Sequence, residues 1–294
     1  MRIAFIGFGE AGRAFAASLR NRNLSISAYD VQFGGPDDAA FRVAAHERNV
    51  KLADSAEAAV ADADWVFSAV TAADSLEAAR SVSEVLKPGQ VYFDINSVSA
   101  GRKKETAALL GPSGATYVDV AVMAPVDSRG HQTPLLVAGP VEGEIAAGLS
   151  RLGFGFELVG KEIGGATAIK MVRSLFVKGL EAITVQALLA ADAAGCFDNV
   201  YASLSGSYPK LGWPEFPTYN FERVTRHGLR RAAEMRECAA SMKELGFPAG
   251  FALADAIADL QQEIGSLGIR LDPGDDLTDA LATVGRMRAA ASSS

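Results

Sequence analysis

Cysteine is nearly absent: Cys196 and Cys238 are the two in 294 residues, and their spacing is not C-x-x-C. That gives neither a disulfide framework nor a zinc pattern, and no metal site is expected. Nor is there a long basic run to offset the acidic balance, since 28 Lys and Arg face 35 Asp and Glu for a formal net charge of −7. No nucleic-acid or anionic-membrane partner is expected, and small-molecule chemistry is favoured. No stretch approaches about eighteen uninterrupted apolar residues. The closest, AITVQALLAADAAG, carries Gln186 and Asp192, so a membrane span is not expected. The opening apolar run is broken by Glu10 and Arg13 too soon for a secretory signal, which makes the cytoplasm the expected compartment. No repeat of about twenty to fifty residues is present.

What is present starts at the first residues. Gly7, Gly9 and Gly12 in MRIAFIGFGEAGRAFAASLR follow an apolar strand-like run, Ile3 to Ile6, and open a helix-like one. In that context Gly7 serves a tight turn, Gly9 lets backbone N–H groups approach a pyrophosphate, and Gly12 allows close helix–sheet packing. The turn residues Phe8, Glu10 and Ala11 join the expected cofactor contacts. The next strand, SISAYD, ends in Asp30, about twenty residues on, where a carboxylate accepts hydrogen bonds from ribose hydroxyls and repels a 2′-phosphate. NAD is therefore expected over NADP. Val70, closing the strand WVFSAV, Thr71 after it, and Asn96, closing VYFDIN, are placed in the same cofactor site.

The winding continues as helix (about 36–49), strand (50–52), a helix opened by Asp54 or Ser55, WVFSAV, and a helix ending near Leu86 at Lys87-Pro88-Gly89. VYFDIN, TYVDVAVM, LLVAGP and FGFELVG follow as strands, with one short helix, VEGEIAAGLSRL, among them. Gly153 and Gly155 read as turn residues. After about Gly164 no strand alternation recurs. The expected class is α/β: a Rossmann-type doubly wound sheet with extra strands over 1–162, then an all-helical substrate and dimerisation domain over 163–294. Its first helix is expected over about 166–194, offering a face to a second copy. SGSYPKLGWPEFP reads as loop, two more helices are expected over about 220–246 and 249–268, and the terminal AAASSS reads as frayed.

Three clusters could carry chemistry. Lys170 follows a glycine-rich lead-in and shares a helical face with Arg173, Ser174, Val177 and Glu181. A lysine held beside an oxidised nicotinamide has its proton affinity lowered by charge and desolvation, so it can accept a hydroxyl proton as hydride leaves; the bland alternative is a surface lysine beside core residues. Asn96 and Ser97 lie at the carboxyl end of a parallel strand, where open α/β sheets place ligands, and Ser99 reads as a helix cap. Arg129 and His131 lie in the loop after TYVDVAVM, where loop polarity alone would explain them.

In this order the clusters resemble the β-hydroxyacid dehydrogenase superfamily, which includes 3-hydroxyisobutyrate and 6-phosphogluconate dehydrogenases. Gly7, Gly9 and Gly12 match its G-x-G-x-x-G, Asp94-Ile95-Asn96-Ser97 loosely matches its D-x-S-T, and its catalytic lysine falls on Lys170. The resemblance implies an NAD(P)-dependent oxidoreductase acting on a small hydroxy or oxo acid. Lys170 is then the acid/base, with Ser97, Asn96 and Ser174 as catalytic partners. The family's D-A-P-V-S-G-G carboxylate cradle is replaced here by a segment ending Met123-Ala124-Pro125, and Pro125 has no N–H to donate. Those three residues, Arg173 and His227 are the expected substrate contacts. Val177 stands where decarboxylating relatives have glutamate, which argues against decarboxylation. V-M-A-P, K-M-V-R-S and HGLRRAAEM look like a branch whose C-terminal domain is described only by likeness to phosphogluconate dehydrogenases. Arg230 and Arg231 read as exposed helix, and Arg173, if it does not bind substrate, is expected to pair with Glu181 or Asp192. Imine or ketimine reduction and non-catalytic nicotinamide sensing are the alternatives; the cation of Lys170 weighs against the first and has no evident role in the second.

Overall fold

The computed structural model describes residues 1–20, 23–272 and 274–291. The chain forms two compact units, Met1–Met171 and Val172 onward.

The first unit is built on an eight-stranded sheet of order β3-β2-β1-β4-β5-β6-β7-β8. The strands are β1 (Arg2–Ile6), β2 (Ser25–Tyr29), β3 (Val50–Leu52), β4 (Trp65–Ser68), β5 (Val91–Asp94), β6 (Thr116–Val122), β7 (Leu135–Ala138) and β8 (Phe156–Gly160). β1 to β6 pair in parallel, β7 runs antiparallel to β6, and β8 parallels β7. The helices are α1 (Glu10–Leu19), α2 (Asp38–Arg48), α3 (Ala56–Val60), α4 (Ser75–Arg80), α5 (Ala100–Leu110) and α6 (Glu144–Leu152). Both sheet faces are covered, which is why β1 is an unbroken apolar run rather than an alternating one. Ile3 and Phe5 enter a core with Phe15, Phe67, Phe93 and Phe154, while Ala4 and Ile6 enter another with Val66, Tyr92 and Leu110. Register stacks the aromatics: Phe67 lies opposite both Phe5 and Phe93, its ring 4.7 Å from that of Phe93.

The expected alternation is observed, with shortenings; α6 begins at Glu144, three residues into VEGEIAAGLSRL. α4 stops at Arg80 and consecutive hydrogen-bonded turns carry the chain to Leu86, so the helix foreseen up to Lys87-Pro88-Gly89 covers only the first part of that segment. Ser55 and Ser99 cap α3 and α5 by accepting from the N–H groups of Ala58 and Arg102.

α7 (Gly165–Ala193) crosses from the first unit into the second, which adds α8 (Phe197–Ser207), α9 (Glu215–Glu244), α10 (Pro248–Ser266) and α11 (Leu277–Ala291). α8 and α11 were not foreseen, and α9 begins inside the segment read as loop. AAASSS is partly helix, through Ala291, its three serines lying outside the described residues. The helical core gathers Val185, Leu188, Phe221, Val224, Ile264, Leu281 and Val284. α9 and α10 touch backbone to backbone: a Cβ on Gly228 would sit 2.4 Å from the Gln261 carbonyl oxygen, and one on Gly265 would sit 2.6 Å from the Leu229 nitrogen.

Two ion pairs tie α7 to α9, a part-buried one from Lys178 to Glu234 at 2.6 Å and a buried one between Glu181 and Arg231. Arg231 is therefore not exposed helix as expected, while Arg230 is. α7 is also long and apolar enough to cross a membrane by length and composition, a property its interrupted sequence had not suggested.

Candidate functional site

The glycine turn after β1 is fixed from below and open above. Gly7 has φ +92°, and a Cβ there would lie 2.3 Å from the Ala69 carbonyl oxygen and 2.8 Å from Val70. A Cβ on Gly12 would lie 2.4 Å from the Gly7 carbonyl oxygen, whereas nothing lies within 4 Å of one on Gly9. Gly9 opens α1 in extended conformation and no side chain caps that end, so the positive end of the helix dipole faces the open space at Gly9, where an anion is favoured. Phe8 is buried and its N–H donates to Asp30 Oδ2 at 2.7 Å; Glu10 is exposed and Ala11 half-buried.

Asp30 is 8% exposed and also accepts from the Gln32 N–H at 3.0 Å through Oδ1. Each carboxylate oxygen thus has one known donor and a further lone pair to offer. An open space at Gly9, the positive end of the helix dipole and a strand-end carboxylate with acceptor capacity fit a dinucleotide.

Asn96 joins two strand ends. Its Oδ1 accepts from the Val70 N–H at 2.7 Å and its Nδ2 donates to Ser68 Oγ at 2.9 Å. Buried at 3% exposure, it holds the loop after β4 against the end of β5. Thr71 is exposed and donates to Asp74 Oδ2 at 2.5 Å. The neighbouring Ser97 is half-buried, and its Oγ accepts from Lys170 Nζ at 2.5 Å. Residues 73 positions apart in the chain are thereby brought together, an ammonium and a hydroxyl at the carboxyl edge of the parallel strands.

Beneath that contact lies a charged group that sequence reasoning missed. Lys103, 0% exposed, sets its Nζ 2.9 Å from Asp94 Oδ1 and 3.6 Å from Asp119 Oδ1. Asp94 accepts from the Tyr117 hydroxyl at 2.7 Å and from the Asn96 N–H at 2.9 Å. Burial first, and then the Asp94 charge, pushes the Tyr117 phenol well above its usual range, which keeps it a donor. Asp119 Oδ2 accepts the N–H groups of Gly164 and Thr167 at 3.1 and 3.2 Å, at the start of α7. Lys103 sits in AGRKKE, where a basic tract reads as solvated; its period with Thr106 and Leu110, both buried, was the available signal.

Met123 packs against Ala121, Ala138 and Ala166, while Ala124 and Pro125 are exposed. His131 is buried, with Nδ1 2.8 Å from Ser18 Oγ; it docks its loop onto α1, so loop polarity does not account for it. Arg129 is exposed and lines an open cavity of about 580 Å³ along α1. On α7, Ser174 is buried and Arg173 exposed, and on α9 His227 is half-buried. Arg173 makes no ion pair among the described residues, Glu181 being taken by Arg231.

The NAD binding domain of 6-phosphogluconate dehydrogenase matches residues 2–142, and a domain of unknown function, DUF1932, matches residues 191–264. A conserved hypothetical protein from Sinorhizobium meliloti is 33% identical, with 98% of this chain and 96% of that one covered at a TM-score of 0.77. Human mitochondrial 3-hydroxyisobutyrate dehydrogenase is 26% identical over 51% of this chain and 44% of its own length. The chain belongs to the 3-hydroxyisobutyrate and 6-phosphogluconate dehydrogenase-like superfamily. This β-hydroxyacid dehydrogenase relative has the superfamily's Rossmann-type cofactor domain and helical C-terminal region, and it belongs with NAD(P)-dependent oxidoreductases. Less than half of the human enzyme's length is matched. An imine reductase variant from Myxococcus stipitatus shares the fold at 22% identity, 96% and 98% coverage and a TM-score of 0.59.

Proposed function

We propose that this protein is an NAD-dependent oxidoreductase that moves hydride between nicotinamide and a small hydroxy or oxo acid without decarboxylation. The observation that carries the reading is the 2.5 Å contact between Lys170 Nζ and Ser97 Oγ at the strand edge that also presents the glycine turn. Gly9, the first turn of α1 and Asp30 would hold the dinucleotide, which when bound supplies or accepts the hydride. Asp30 favours NAD, because a 2′-phosphate would meet its carboxylate and the following Val31 and Gln32 offer no cation to offset that. A kcat/KM ratio tenfold in favour of NADP would overturn the preference.

Lys170 acts as the acid/base. In the oxidative direction its neutral Nζ takes the substrate hydroxyl proton, and in the reductive direction its ammonium returns one to the carbonyl oxygen. Ser97 Oγ fixes the direction of that transfer by holding Nζ. Arg173 supplies the guanidinium for the acid where Met123-Ala124-Pro125 replaces the family's Ser-Gly-Gly backbone, because a planar fork matches a carboxylate. A substrate already cationic, such as an iminium, would be repelled by the Lys170 ammonium, which places imine reduction second.

Lys170→Ala is expected to lower kcat with 3-hydroxyisobutyrate or the best acid of a hydroxyacid panel by about 10²–10⁴-fold, the range for losing one proton-transfer group. NADH affinity, read by fluorescence titration, stays within twofold of the parent. Nearly full turnover in the variant would sink the assignment.

A further inference from the structure

We propose that Asp94, Lys103 and Asp119 are positioning residues for the Lys170–Ser97 pair, a role that rests on the oxidoreductase reading given above. Each carboxylate fixes one member of the pair, and the single ammonium fixes the carboxylates to each other. Asp94 Oδ1 accepts the N–H of Asn96, the residue whose carbonyl leads into Ser97, so it sets the course of the chain at the end of β5. Asp119 Oδ2 accepts the N–H groups of Gly164 and Thr167, which sets the origin and the rotation of the α7 turn that carries Lys170. Lys103 Nζ lies between, donating also to the Asp94 carbonyl oxygen at 2.6 Å.

The chemistry explains why the arrangement is charged rather than apolar. Two carboxylates and one ammonium leave a net negative charge in a place without solvent, since all three side chains are 0 or 1% exposed. That excess lies against the positive end of the α7 dipole and the N–H groups of Gly164 and Thr167 that Asp119 accepts, which offset part of it. Removing the Lys103 ammonium leaves two carboxylates buried without their counter-ion, and removing either carboxylate leaves Lys103 held from one side only. Such a group has one low-energy geometry, and proton transfer needs one, because a displacement of about 1 Å at a reacting pair costs on the order of 10²-fold in rate.

The test uses Asp119→Asn in the full chain. An amide has one acceptor and one donor end, so it either keeps the α7 N–H contacts and turns its NH₂ toward Lys103, or faces Lys103 and loses the contacts. In a crystal structure of the variant the Lys170 Nζ to Ser97 Oγ separation is expected to open beyond about 3.5 Å. With 3-hydroxyisobutyrate as probe, kcat is expected to fall about 10–100-fold, while KM and the NADH dissociation constant stay within twofold. Val91→Ala, at the far end of β5, is the control for general loosening: at comparable loss of Tm it keeps kcat. Tyr117→Phe, which removes only the hydroxyl donor on Asp94, is the gentler variant if Asp119→Asn does not fold, and it is expected to show the same kcat-only loss in smaller degree.

A retained short contact in either variant overturns the proposal, and so does an equal loss of kcat in Val91→Ala. Full activity in Lys170→Ala overturns instead the functional reading, and the crystallographic distance still decides whether the buried group positions the pair.

Discussion

Gly7 and Gly9 occupy the same turn under opposite constraints. Gly7 combines a positive φ of +92° with a backbone oxygen 2.3 Å from where a Cβ would stand, so Gly7→Ala incurs both backbone strain and a clash that cannot relax. Its expected cost is about 2–5 kcal/mol of folding stability. Gly9 has an ordinary φ of −77° and open space beyond it, so Gly9→Ala should change stability by less than about 1 kcal/mol. The new methyl would instead stand where a pyrophosphate approaches. Thermal melts and NADH titration separate the two: a large Tm loss for Gly7→Ala, and a dinucleotide affinity lowered at least tenfold with Tm nearly unchanged for Gly9→Ala. Unimpaired binding by the Gly9 variant would move the cofactor elsewhere. These residues were legible because glycine spacing after an apolar strand has one economical explanation. Lys103 was not, because the tract that holds it reads like any solvated helix face; only the third dimension shows that two buried carboxylates meet its ammonium.

At the scale of elements, the strands were readable because sheet burial on both faces leaves unbroken apolar runs such as Ile3–Ile6. The helices were less uniform. α8 carries asparagine, glycine and several serines, buries no residue fully, and so gives a weak periodic signal. α11 buries Leu277, Ala280, Leu281 and Val284, a plain i, i+3, i+4, i+7 stripe that Gly285 and the adjoining low-complexity end disguised. The crossing of α9 and α10 was equally hidden, since Gly228 and Gly265 look like helix-weakening residues until their backbones are seen in contact. Gly228→Ala must push α10 away from α9, at about 1–3 kcal/mol, and a lowered Tm by calorimetry checks it. Gly206, in α8 with nothing within 4 Å of a Cβ, is the counterpart: alanine there should raise stability by about 0.5–1 kcal/mol. Equal effects at the two positions would mean that the close approach does not constrain the packing.

At the scale of the whole molecule, the long helix poses a problem of burial. α7 commits Ala182, Val185, Leu188 and Leu189 to the core, yet Val172, Phe176 and Ile183 stand 51, 69 and 64% exposed. The spacing of these three, four and then seven residues, aligns them along one side of the helix. A helix apolar on more than one side is normally covered on more than one side. A bilayer is a poor cover here, because Lys178 and Glu181 lie in the same helix, paired to α9, and intramembrane charges are expensive. A second copy of the chain is the better cover, and a twofold axis would let the same row meet itself. The expected outcome is a homodimer in multi-angle light scattering at micromolar concentration. Phe176→Glu should shift it to monomer, because two like charges would face each other across an apolar contact that no longer excludes water. A parent protein that is already monomeric at that concentration would leave the row without its proposed cover and defeat the assignment.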